Sequence, residues 1–597
     1  MRALAGRNAA LLAAGTVVVL SMAPVWLPSF YLHIMVLMLI FAVYAMSLDI
    51  LMGYAGLPSL GHAAFFGVAA YTAGLLAVRA GFPWWTAAPI AIATSAGFAA
   101  LFGLVALRTR GLYFMLITLA FAQVLWGGAN RWGSFTGGYN GLPNIPRPFE
   151  LVGTTSGFYY LALGLFLVLG ATMHLLVRSP FGLTLKGIRD SESRMRALGY
   201  NVWLHKYVAL VLSAVFAGFA GVMSAYYNGF VSPQNLSVAV SAEGILMVIF
   251  GGTGTLIGPV IGAVIIVALR SFLSIFVEHW LIVLGLAFVL TVFYAPDGVI
   301  GWLRLGARKR PPSPATESVL TGAPTLALSE ALAPRAAIAK PGAVAEGRAH
   351  VALQLDGVSK SFGGMMALNG VSFEIRAGAR VAILGPNGAG KTSLFHLIGG
   401  SLRPSSGRII AFGRDVSRLR PDERANLGLG RTFQITNLFP TLSVLDSLRL
   451  SLLAYERRKF TMHRPAASLD SINEQASLLM SAIDLEAIRD TEVRHLSYGH
   501  QRQLEVLMAL ALRPRLLLLD EPTAGLSTAE VSSMVRLMRS LGRDITVLII
   551  EHDMDVAFEV AEHIMVLHHG EKLAEGGEAE IRANPEVRRI YLGRGTA

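Results

Sequence analysis

The chain has 597 residues, of which 54% are hydrophobic and 15% are charged, and it contains no cysteine. This composition indicates a membrane protein rather than a soluble chain of about four domains. The lack of cysteine excludes disulfides and thiolate metal sites. The net charge of +12 does not call for a nucleic acid partner, and we expect none, because basic residues at membrane edges give the same excess.

Apolar segments of about bilayer length fill the first 300 residues and predict about ten membrane spans. Eight of them are single segments, at 9–27, 30–51, 60–78, 86–107, 111–128, 158–177, 203–226 and 281–294. The stretch 241–276 is longer than one span and is broken by a Gly-Gly-Thr-Gly-Thr run at 251–255. We therefore interpret it as two passes. The break is open to two interpretations, a wall of the transport pathway or a tight turn.

The distribution of basic residues supports this count. Ten passes place the N-terminus, the turn at 108–110, the loop at 178–206 and the residues after the last span on the cytoplasmic side, as the positive-inside rule requires. The first span has the charged start of a secretory signal, but a multi-pass protein can also use such a span for insertion and keep it. Asp49, His62 and Glu243 fall at predicted span ends, where capping or snorkelling explains them without a substrate role.

A phosphate-binding loop is the first chemical motif. Two glycines separated by four residues precede Lys391 and Thr392, between an apolar run and a helix-like stretch. We expect Lys391 to reach the β- and γ-phosphates of ATP, and the Thr392 hydroxyl to bind Mg²⁺. The candidate ATP-binding residues of the loop are Gly385, Asn387, Gly388, Gly390, Lys391, Thr392 and Ser393.

Two adjacent carboxylates follow a run of four leucines at 516–519. The run predicts a buried strand of a parallel sheet, with Asp520 and Glu521 at its carboxyl end. Asp520 is expected to help hold Mg²⁺, and Glu521 to orient and polarise the attacking water. Alone, such a run is more often an ordinary strand end, but the phosphate loop ahead of it favours the catalytic interpretation.

Further segments resemble the ATP-binding cassette (ABC) ATPases. The sequence Leu-Ser-Tyr-Gly-His-Gln at 496–501 resembles their signature, Arg-Thr-Phe-Gln at 431–434 their Q-loop, and Ile-Glu-His-Asp at 550–553 their switch-histidine segment. An aromatic residue before the Gly-Gly pair at 363–364 matches the one that stacks on adenine. The resemblance covers 351–593 and implies a cytosolic α/β P-loop ATPase domain with a helical subdomain.

The resemblance also implies roles for single residues. Gln434 and His552 would join Glu521 as catalytic residues, Gln434 would also reach Mg²⁺, and Phe362 would stack on adenine. In a head-to-tail dimer, Ser497 and Gly499 of one subunit would contact the γ-phosphate held by the other. Three positions depart from the general pattern, Tyr498, His500 and Ser527.

The loop 179–200 mixes charged residues with leucine, isoleucine and methionine, which predicts one or two short amphipathic helices. A solvated connecting loop is the alternative. It resembles the coupling loop of ABC importers, which docks beside the Q-loop. Together with Gly-Tyr-Ala-Gly-Leu-Pro-Ser-Leu-Gly-His-Ala at 53–63 and Gly-Leu-Tyr-Phe at 111–114, it resembles permeases of branched-chain amino acid importers. The signature with Tyr498 and the closing segment 584–593 resemble their ATPase partners.

These features predict three parts: a permease domain at 1–305, a flexible Pro- and Ala-rich linker at 306–350 and an ABC domain at 351–597. The resemblance implies a subunit of an importer of branched-chain or related amino acids in a bacterial inner membrane. Its partners would be second permease and ATPase subunits and a periplasmic or lipoprotein substrate-binding protein. Importers of urea, short amides or small carboxylates are similar enough to stay open. An ABC exporter and a membrane-anchored regulatory ATPase are alternatives of other classes.

Overall fold

The structure is a computed structural model that describes residues 2–149, 152–276, 280–295, 298–305, 351–434 and 437–591. The predicted linker, 306–350, lies outside the described residues. The chain divides into two compact units. The first consists of Met1–Arg189, Trp203–Lys309 and Met462–Pro465, and the second of Asp190–Val202, Arg310–Thr461 and Ala466–Ala597.

The first unit is built from helices. In chain order they are α1 (Arg2–Trp26), α2 (Ser29–Asp49), α3 (His62–Val78), α4 (Trp84–Ala106), α5 (Leu112–Arg131), α6 (Gly133–Thr136), α7 (Thr155–Arg178) and α8 (Pro180–Asp190). After α9 (Glu192–Ala197), which belongs to the second unit, come α10 (Val202–Asn228), α11 (Val238–Gly251), α12 (Ile257–Phe276), α13 (Trp280–Tyr294) and α14 (Gly298–Leu305).

Each of the ten predicted spans coincides with a helix of this unit. Within the described residues, five helical stretches are long and apolar enough to cross a membrane by themselves: Ser29–Tyr54, Trp84–Ala106, Leu112–Arg131, Thr155–Arg178 and Val202–Asn228. Burial separates inner from outer helices, since 78% of the apolar window of the first stretch is buried but only 22% of that of α4 or α5. The long segment predicted to make two passes is indeed two helices, α11 and α12.

The break between α11 and α12 is held by a carboxylate. Asp49 is fully buried at the end of α2, where the helix continues as a π-helix, Ile50–Tyr54. Its Oδ1 accepts from the N–H of Gly254 at 2.7 Å and its Oδ2 from the N–H of Leu256 at 3.2 Å. These bonds satisfy amides that would otherwise be costly in an apolar setting. The break is therefore a turn whose backbone is anchored to α2.

The other two ionisable residues singled out in the spans also have partners. His62 begins α3, is buried, and its Nε2 lies 2.8 Å from the hydroxyl of Ser47. Glu243 lies inside α11 rather than at its end, and its carboxylate pairs with Arg270 of α12 at 3.1 Å. The predicted position of Glu243 at a span end is therefore wrong, because the helix begins at Val238.

The second unit contains two sheets. Its strands are β1 (Val351–Phe362), β2 (Met365–Arg376), β3 (Arg380–Leu384), β4 (Ser406–Ala411), β5 (Arg414–Asp415), β6 (Leu429–Arg431), β7 (Leu516–Asp520), β8 (Thr546–Ile550), β9 (His563–His568) and β10 (Glu571–Gly576). One sheet has the order β2-β1-β4-β5 and is antiparallel. The other has the order β10-β9-β3-β8-β7-β6, in which only the β10 pairing is antiparallel.

Helices cover these sheets and form a separate helical part. They are α15 (Lys391–Ile398), α16 (Pro421–Asn426), α17 (Val444–Leu453), α18 (Asp470–Ser481), α19 (Tyr498–Leu510), α20 (Thr528–Arg539), α21 (Met554–Val560), α22 (Glu578–Ala583) and α23 (Pro585–Tyr591). Helix α17 packs against both α18 and α19. The all-buried pattern of β7 and β8 is that of central parallel strands, as predicted for the four-leucine run.

Candidate ATP site and the segment that contacts it

The phosphate loop has the predicted strand, loop and helix context, between β3 and α15. Gly388 and Gly390 adopt positive φ angles of 82° and 96°, and a Cβ on Gly390 would lie 2.6 Å from the carbonyl oxygen of Ala367. No side chain caps the N-terminus of α15, so its first N–H groups can receive a phosphate. Thr392 and Ser393 lie in this first turn, and Asn387 is exposed on the loop.

Lys391 is folded back onto this loop. Its Nζ donates to the carbonyl oxygens of Gly385 at 2.5 Å and Pro386 at 3.0 Å. Burial lowers the pKa of Lys391, while the charges of Glu521 and Asp520 act in the opposite direction. An ammonium group in this position can exchange two carbonyl partners for phosphate oxygens without moving into the apolar core.

Three predicted catalytic side chains meet at one oxygen. The Oε1 of Glu521 lies 3.3 Å from the Nε2 of Gln434, which donates to it, and 2.5 Å from the Nε2 of His552. Glu521 follows β7 directly and has a φ of 46°, a left-handed conformation that is uncommon outside glycine. Its own N–H donates to the carbonyl of Ile550 at 2.9 Å. The Q-loop, the end of β7 and the end of β8 thus converge on Glu521.

Arg502 fixes the backbone of this carboxylate pair, and the sequence analysis did not single it out. It is fully buried on α19, and its Nη2 donates to the carbonyl oxygens of Asp520 and Glu521 at 2.6 Å each. Its Nη1 donates to Phe433 in the Q-loop and to the carboxylate of Glu505, also at 2.6 Å each. The signal in the sequence was a pair of charges, three residues apart, just ahead of the apolar run that ends the helix.

Burial raises the pKa of two carboxyl groups near the phosphate loop, Asp520 and Glu551. Burial, with help from the adjacent charge of Glu521, raises the pKa of Asp520 to about 6. Its Oδ1 is buried and, among the described residues, has no hydrogen-bond partner. An acceptor of this kind is suited to a cation, so Asp520, together with Thr392 and Gln434 as oxygen donors, fits the Mg²⁺ that ATP carries. Burial also raises the pKa of Glu551 to about 7, although Thr523 donates to it.

The signature segment packs against the loop that follows Glu521. Ser497 caps α19, accepting from the N–H of His500, whose Nδ1 lies 3.0 Å from the serine hydroxyl. A Cβ on Gly499 would lie 1.8 Å from a carboxylate oxygen of Glu530, and one on Gly525 would lie 3.1 Å from the ring of Tyr498. The three departures from the general pattern therefore belong to one packed region. In it, Ser527 caps α20 through Glu530.

The segment Asp190–Val202 contacts the Q-loop within the second unit. The predicted short helices are confirmed as α8 and α9. Ser191 donates to the side chain of Asn437 at 2.7 Å, and Asp190 accepts from the N–H and hydroxyl of Thr441 at 3.0 and 2.6 Å. The hydroxyl of Tyr200 donates to the carbonyl of Leu450 on α17 at 2.7 Å. Two of these partners, Asn437 and Thr441, follow Gln434 within seven positions of the chain.

The remaining predicted site residue, Phe362, ends β1 and is 43% exposed, with the ammonium group of Lys360 5.1 Å from its ring centre. An exposed ring at this place can stack on a base. Together, the loop, the carboxylate pair, the Q-loop and the signature define an ATP-binding cassette ATPase, joined in one chain to a helical membrane unit.

Comparisons with known proteins agree with this class. Residues 30–292 match the family described as branched-chain amino acid transport system / permease component. Residues 368–524 match the ABC transporter family, and 571–597 match the branched-chain amino acid ATP-binding cassette transporter family. The chain belongs to the branched-chain amino acid ABC transporter family, with its permease and ATP-binding parts fused. It is a membrane protein with a cytosolic ATPase domain that binds and hydrolyses ATP.

Individual relatives match the ATPase part. The high-affinity branched-chain amino acid transport ATP-binding protein BraF of Pseudomonas aeruginosa is 34% identical over 248 residues, 40% of this chain and 97% of the relative. The lipopolysaccharide export system ATP-binding protein LptB of Acidithiobacillus ferridurans is 37% identical over 242 residues, 40% of this chain and 96% of the relative. The crystal structure of MJ1267 in its ADP conformation, an ATP-binding cassette of an ABC transporter, is 30% identical and covers 41% of this chain and 99% of its own, with a TM-score of 0.36.

Proposed function

We propose that this chain is one subunit of an importer that moves branched-chain or related amino acids across a bacterial inner membrane at the expense of ATP. The match of residues 30–292 to a branched-chain amino acid permease component carries the proposal. The ATPase part alone would not, because its relatives include both a branched-chain amino acid transport protein and a lipopolysaccharide export protein.

The proposed division of the chain is a permease domain at 1–305, a linker at 306–350 and an ABC domain at 351–597. One such chain would supply half of the core of a transporter with two permease and two ATPase domains. The other half would be second permease and ATPase subunits, either identical or related. A periplasmic or lipoprotein substrate-binding protein would deliver the solute. Among its described residues, the first unit supports this assignment through five helical stretches long and apolar enough to cross a membrane and several shorter apolar helices.

The ATP site suggests how hydrolysis is carried out. Mg²⁺, when bound, supplies positive charge to the phosphates. Glu521 would accept a proton from an attacking water, a role supported by the contacts of its carboxylate with Gln434 and His552 just after β7. Lys391 is placed to exchange its carbonyl partners for the β- and γ-phosphates. Ser497 and Gly499 would act on the nucleotide of a partner subunit.

Transport into sealed vesicles tests the proposal. The chain would be reconstituted with its partner subunits, with ATP enclosed on the ATPase side and the solute-loaded binding protein outside. We expect ATP-dependent uptake of leucine, isoleucine or valine, which the Glu521→Gln variant abolishes. Uptake of urea, short amides or small carboxylates instead would assign the chain to the alternative importers. ATP-driven movement of solute toward the binding-protein side would make it an exporter and contradict the proposal.

A further inference from the structure

Glu505 lies at the centre of a group of buried charges beside the ATP site. We call this group the Glu505 cluster, and it consists of the side chains of Arg194, Arg502 and Glu505 with the backbone of Phe433. All three charged side chains are 0% exposed. Arg194 comes from α9 in the segment Asp190–Val202, whereas Arg502 and Glu505 come from α19. The cluster therefore joins the segment that follows α8 to the helix of the signature.

One oxygen of Glu505 serves two partners. Its Oε1 accepts from the N–H of Phe433 at 2.8 Å and forms an ion pair with the Nη2 of Arg194 at 2.8 Å. Its Oε2 accepts from Arg502 at 2.6 Å. A substitution of Arg194 thus removes one of the two partners of the oxygen that accepts from the Q-loop backbone.

The partners of Glu505 lead directly to the catalytic carboxylate. Phe433 precedes Gln434, whose amide donates to Glu521 at 3.3 Å. Arg502 donates to the backbone carbonyls of Asp520 and Glu521. Glu505 therefore holds both of the elements that fix Glu521, the Q-loop on one side and the end of β7 on the other.

Arg194 is held by further contacts, and its buried charge is stabilised by Glu505. It donates to the carbonyl oxygens of Asn437 at 3.2 Å and Arg431 at 3.3 Å, and its guanidinium lies 5.1 Å from the ring centre of Phe433. Burial lowers its pKa, and the charge of Glu505 opposes that effect. A buried charge without its partner is strongly unfavourable, so the position of Arg194 depends on Glu505.

We propose that Glu505 is a positioning residue through which Arg194 controls the Q-loop, and hence the rate at which Glu521 promotes hydrolysis. The inference rests on the proposed function only in that the segment Asp190–Val202 responds to the permease. It predicts that the charge of Arg194, and not its bulk, is what the ATP site needs.

Steady-state ATP hydrolysis by the purified full chain tests the role of charge without any solute. Arg194→Met removes the charge at similar length, while Arg194→Lys keeps it. Neither leaves Glu505 without a cation, because Arg502 remains. We expect Arg194→Met to lower kcat by about tenfold with the KM for ATP within about twofold, and Arg194→Lys to stay within about threefold of the wild type. Equal rates for the Met and Lys variants would overturn the proposal.

A matched control comes from the same helix. Arg196 is partly exposed and pairs with Glu192 within α9 at 2.6 Å, so we expect Arg196→Met to leave kcat within about twofold of the wild type. If Arg196→Met and Arg194→Met lowered kcat equally, the effect would come from the packing of α9 and not from the pairing of Arg194 with Glu505, which would contradict the proposal.

A double-mutant cycle tests whether Arg194 acts through Glu505. In a Glu505→Gln background the further change Arg194→Met should alter kcat by less than about twofold, because the shared oxygen has already lost its charge. The same loss of kcat in both backgrounds would show that Arg194 acts by another route.

Hydrogen exchange gives a readout that requires neither hydrolysis nor transport. In the nucleotide-free full chain, the amides of 429–434 should exchange faster in Arg194→Met than in Arg194→Lys. Unchanged exchange in the Met variant would overturn the proposed control of the Q-loop. If the two variants show this difference in exchange but the wild-type chain transports no amino acid, the proposed function is contradicted and this inference stays intact.

Discussion

The backbone of Glu521 is held by contacts that do not involve its carboxylate. Its backbone is held by Arg502 and by Ile550, and only its Oε1 is contacted by Gln434 and His552. A neutral side chain of the same shape should therefore occupy the same place. Substitution by such a side chain should therefore remove only the proposed function of Glu521 as proton acceptor.

The first prediction compares Glu521→Gln with Lys391→Ala. The Gln variant should bind ATP nearly as well as the wild type but hydrolyse it at least about 100-fold more slowly, as expected for loss of a general base. Lys391→Ala should weaken binding itself, because two carbonyl oxygens and the phosphates lose their cation. Nucleotide titration together with steady-state hydrolysis separates the two. Near-normal turnover in Glu521→Gln would exclude the proposed role.

The second prediction concerns pH. Because the pKa of Asp520 is raised to about 6, this group is protonated in the nucleotide-free cassette at lower pH and ionised above pH about 6. Mg²⁺-dependent ATP affinity should therefore fall as the pH drops from 7.5 to 5.5. The pKa of the Asp520 carboxyl is higher in the folded cassette than in the unfolded chain. Its contribution to the free energy of unfolding therefore falls as the pH rises toward 6, because the folded state must then give up a proton that it binds more tightly.

Asp520→Asn is the control for this pH effect, since ATP itself also titrates in the range. The part of the pH dependence that comes from the protein should disappear in the Asn variant, as measured by titration with and without Mg²⁺. An identical pH profile in the two proteins would show that Asp520 does not carry the proton.

Prediction from sequence succeeded where the chemistry is local. The phosphate loop and the Asp520–Glu521 pair lie in contiguous segments whose order already implies a strand and a helix. Arg502 and Glu505 escaped because their roles depend on residues that are distant in the chain, such as Arg194, which lies about 300 positions earlier. A buried ion pair gives no periodic pattern, and the only hint was two charges three residues apart, ahead of the apolar run that ends the helix.

At the level of elements, helix α19 links the signature to the loop before α20. The Ser497 hydroxyl caps α19 and Tyr498 lies against Gly525. This packing makes Gly499 a poor place for a test, because any Cβ there would collide with Glu530. Ser497 is better suited, since Asp and Asn are both good helix N-caps.

The third prediction is that Ser497→Asp abolishes hydrolysis by placing a carboxylate beside the γ-phosphate of a partner subunit, while Ser497→Asn retains much of it. ATP binding to the variant's own phosphate loop should persist in both. If the site is shared between copies of this chain, mixing Ser497→Asp with Lys391→Ala should restore hydrolysis, because one complete site forms in the mixed dimer. Failure of the two inactive variants to complement would argue against a site shared between copies.

The short helices α8 and α9 were predicted from an amphipathic pattern, but their boundary was not. Ser191 separates them, capping α9 by accepting from the N–H of Arg194. The same hydroxyl donates to Asn437. A pattern of apolar residues does not mark this boundary, because a polar cap residue sets it.

At the level of the whole molecule, transport requires that hydrolysis and the permease respond to each other. The segment Asp190–Val202 has contacts with the Q-loop region that can carry this response. Asp190 accepts both the N–H and the hydroxyl of Thr441.

The fourth prediction is that Asp190→Ala lowers solute transport more than ATP hydrolysis, by about tenfold in their ratio, because the pair of bonds to Thr441 is lost. Reconstituted vesicles that report both activities would measure the ratio. Deletion of a few residues between 323 and 337 in the linker is the comparison, and it should leave the ratio unchanged. A larger effect of the deletion than of Asp190→Ala would contradict coupling through the segment.

The bond from Asp49 to the α11–α12 turn has a consequence for how the protein is made. The two partners are separated by 205 positions, so Asp49 has long entered the membrane when the turn is synthesised. Until α11 and α12 reach α2, the amides of Gly254 and Leu256 lack their acceptor, which disfavours a free-standing hairpin in lipid. Stable insertion of this hairpin should then require contact with α2, and Asp49→Ala should reduce the amount of protease-resistant protein in the membrane more than Asp49→Asn does. Biogenesis, as much as transport, would explain a carboxylate that is buried among these helices.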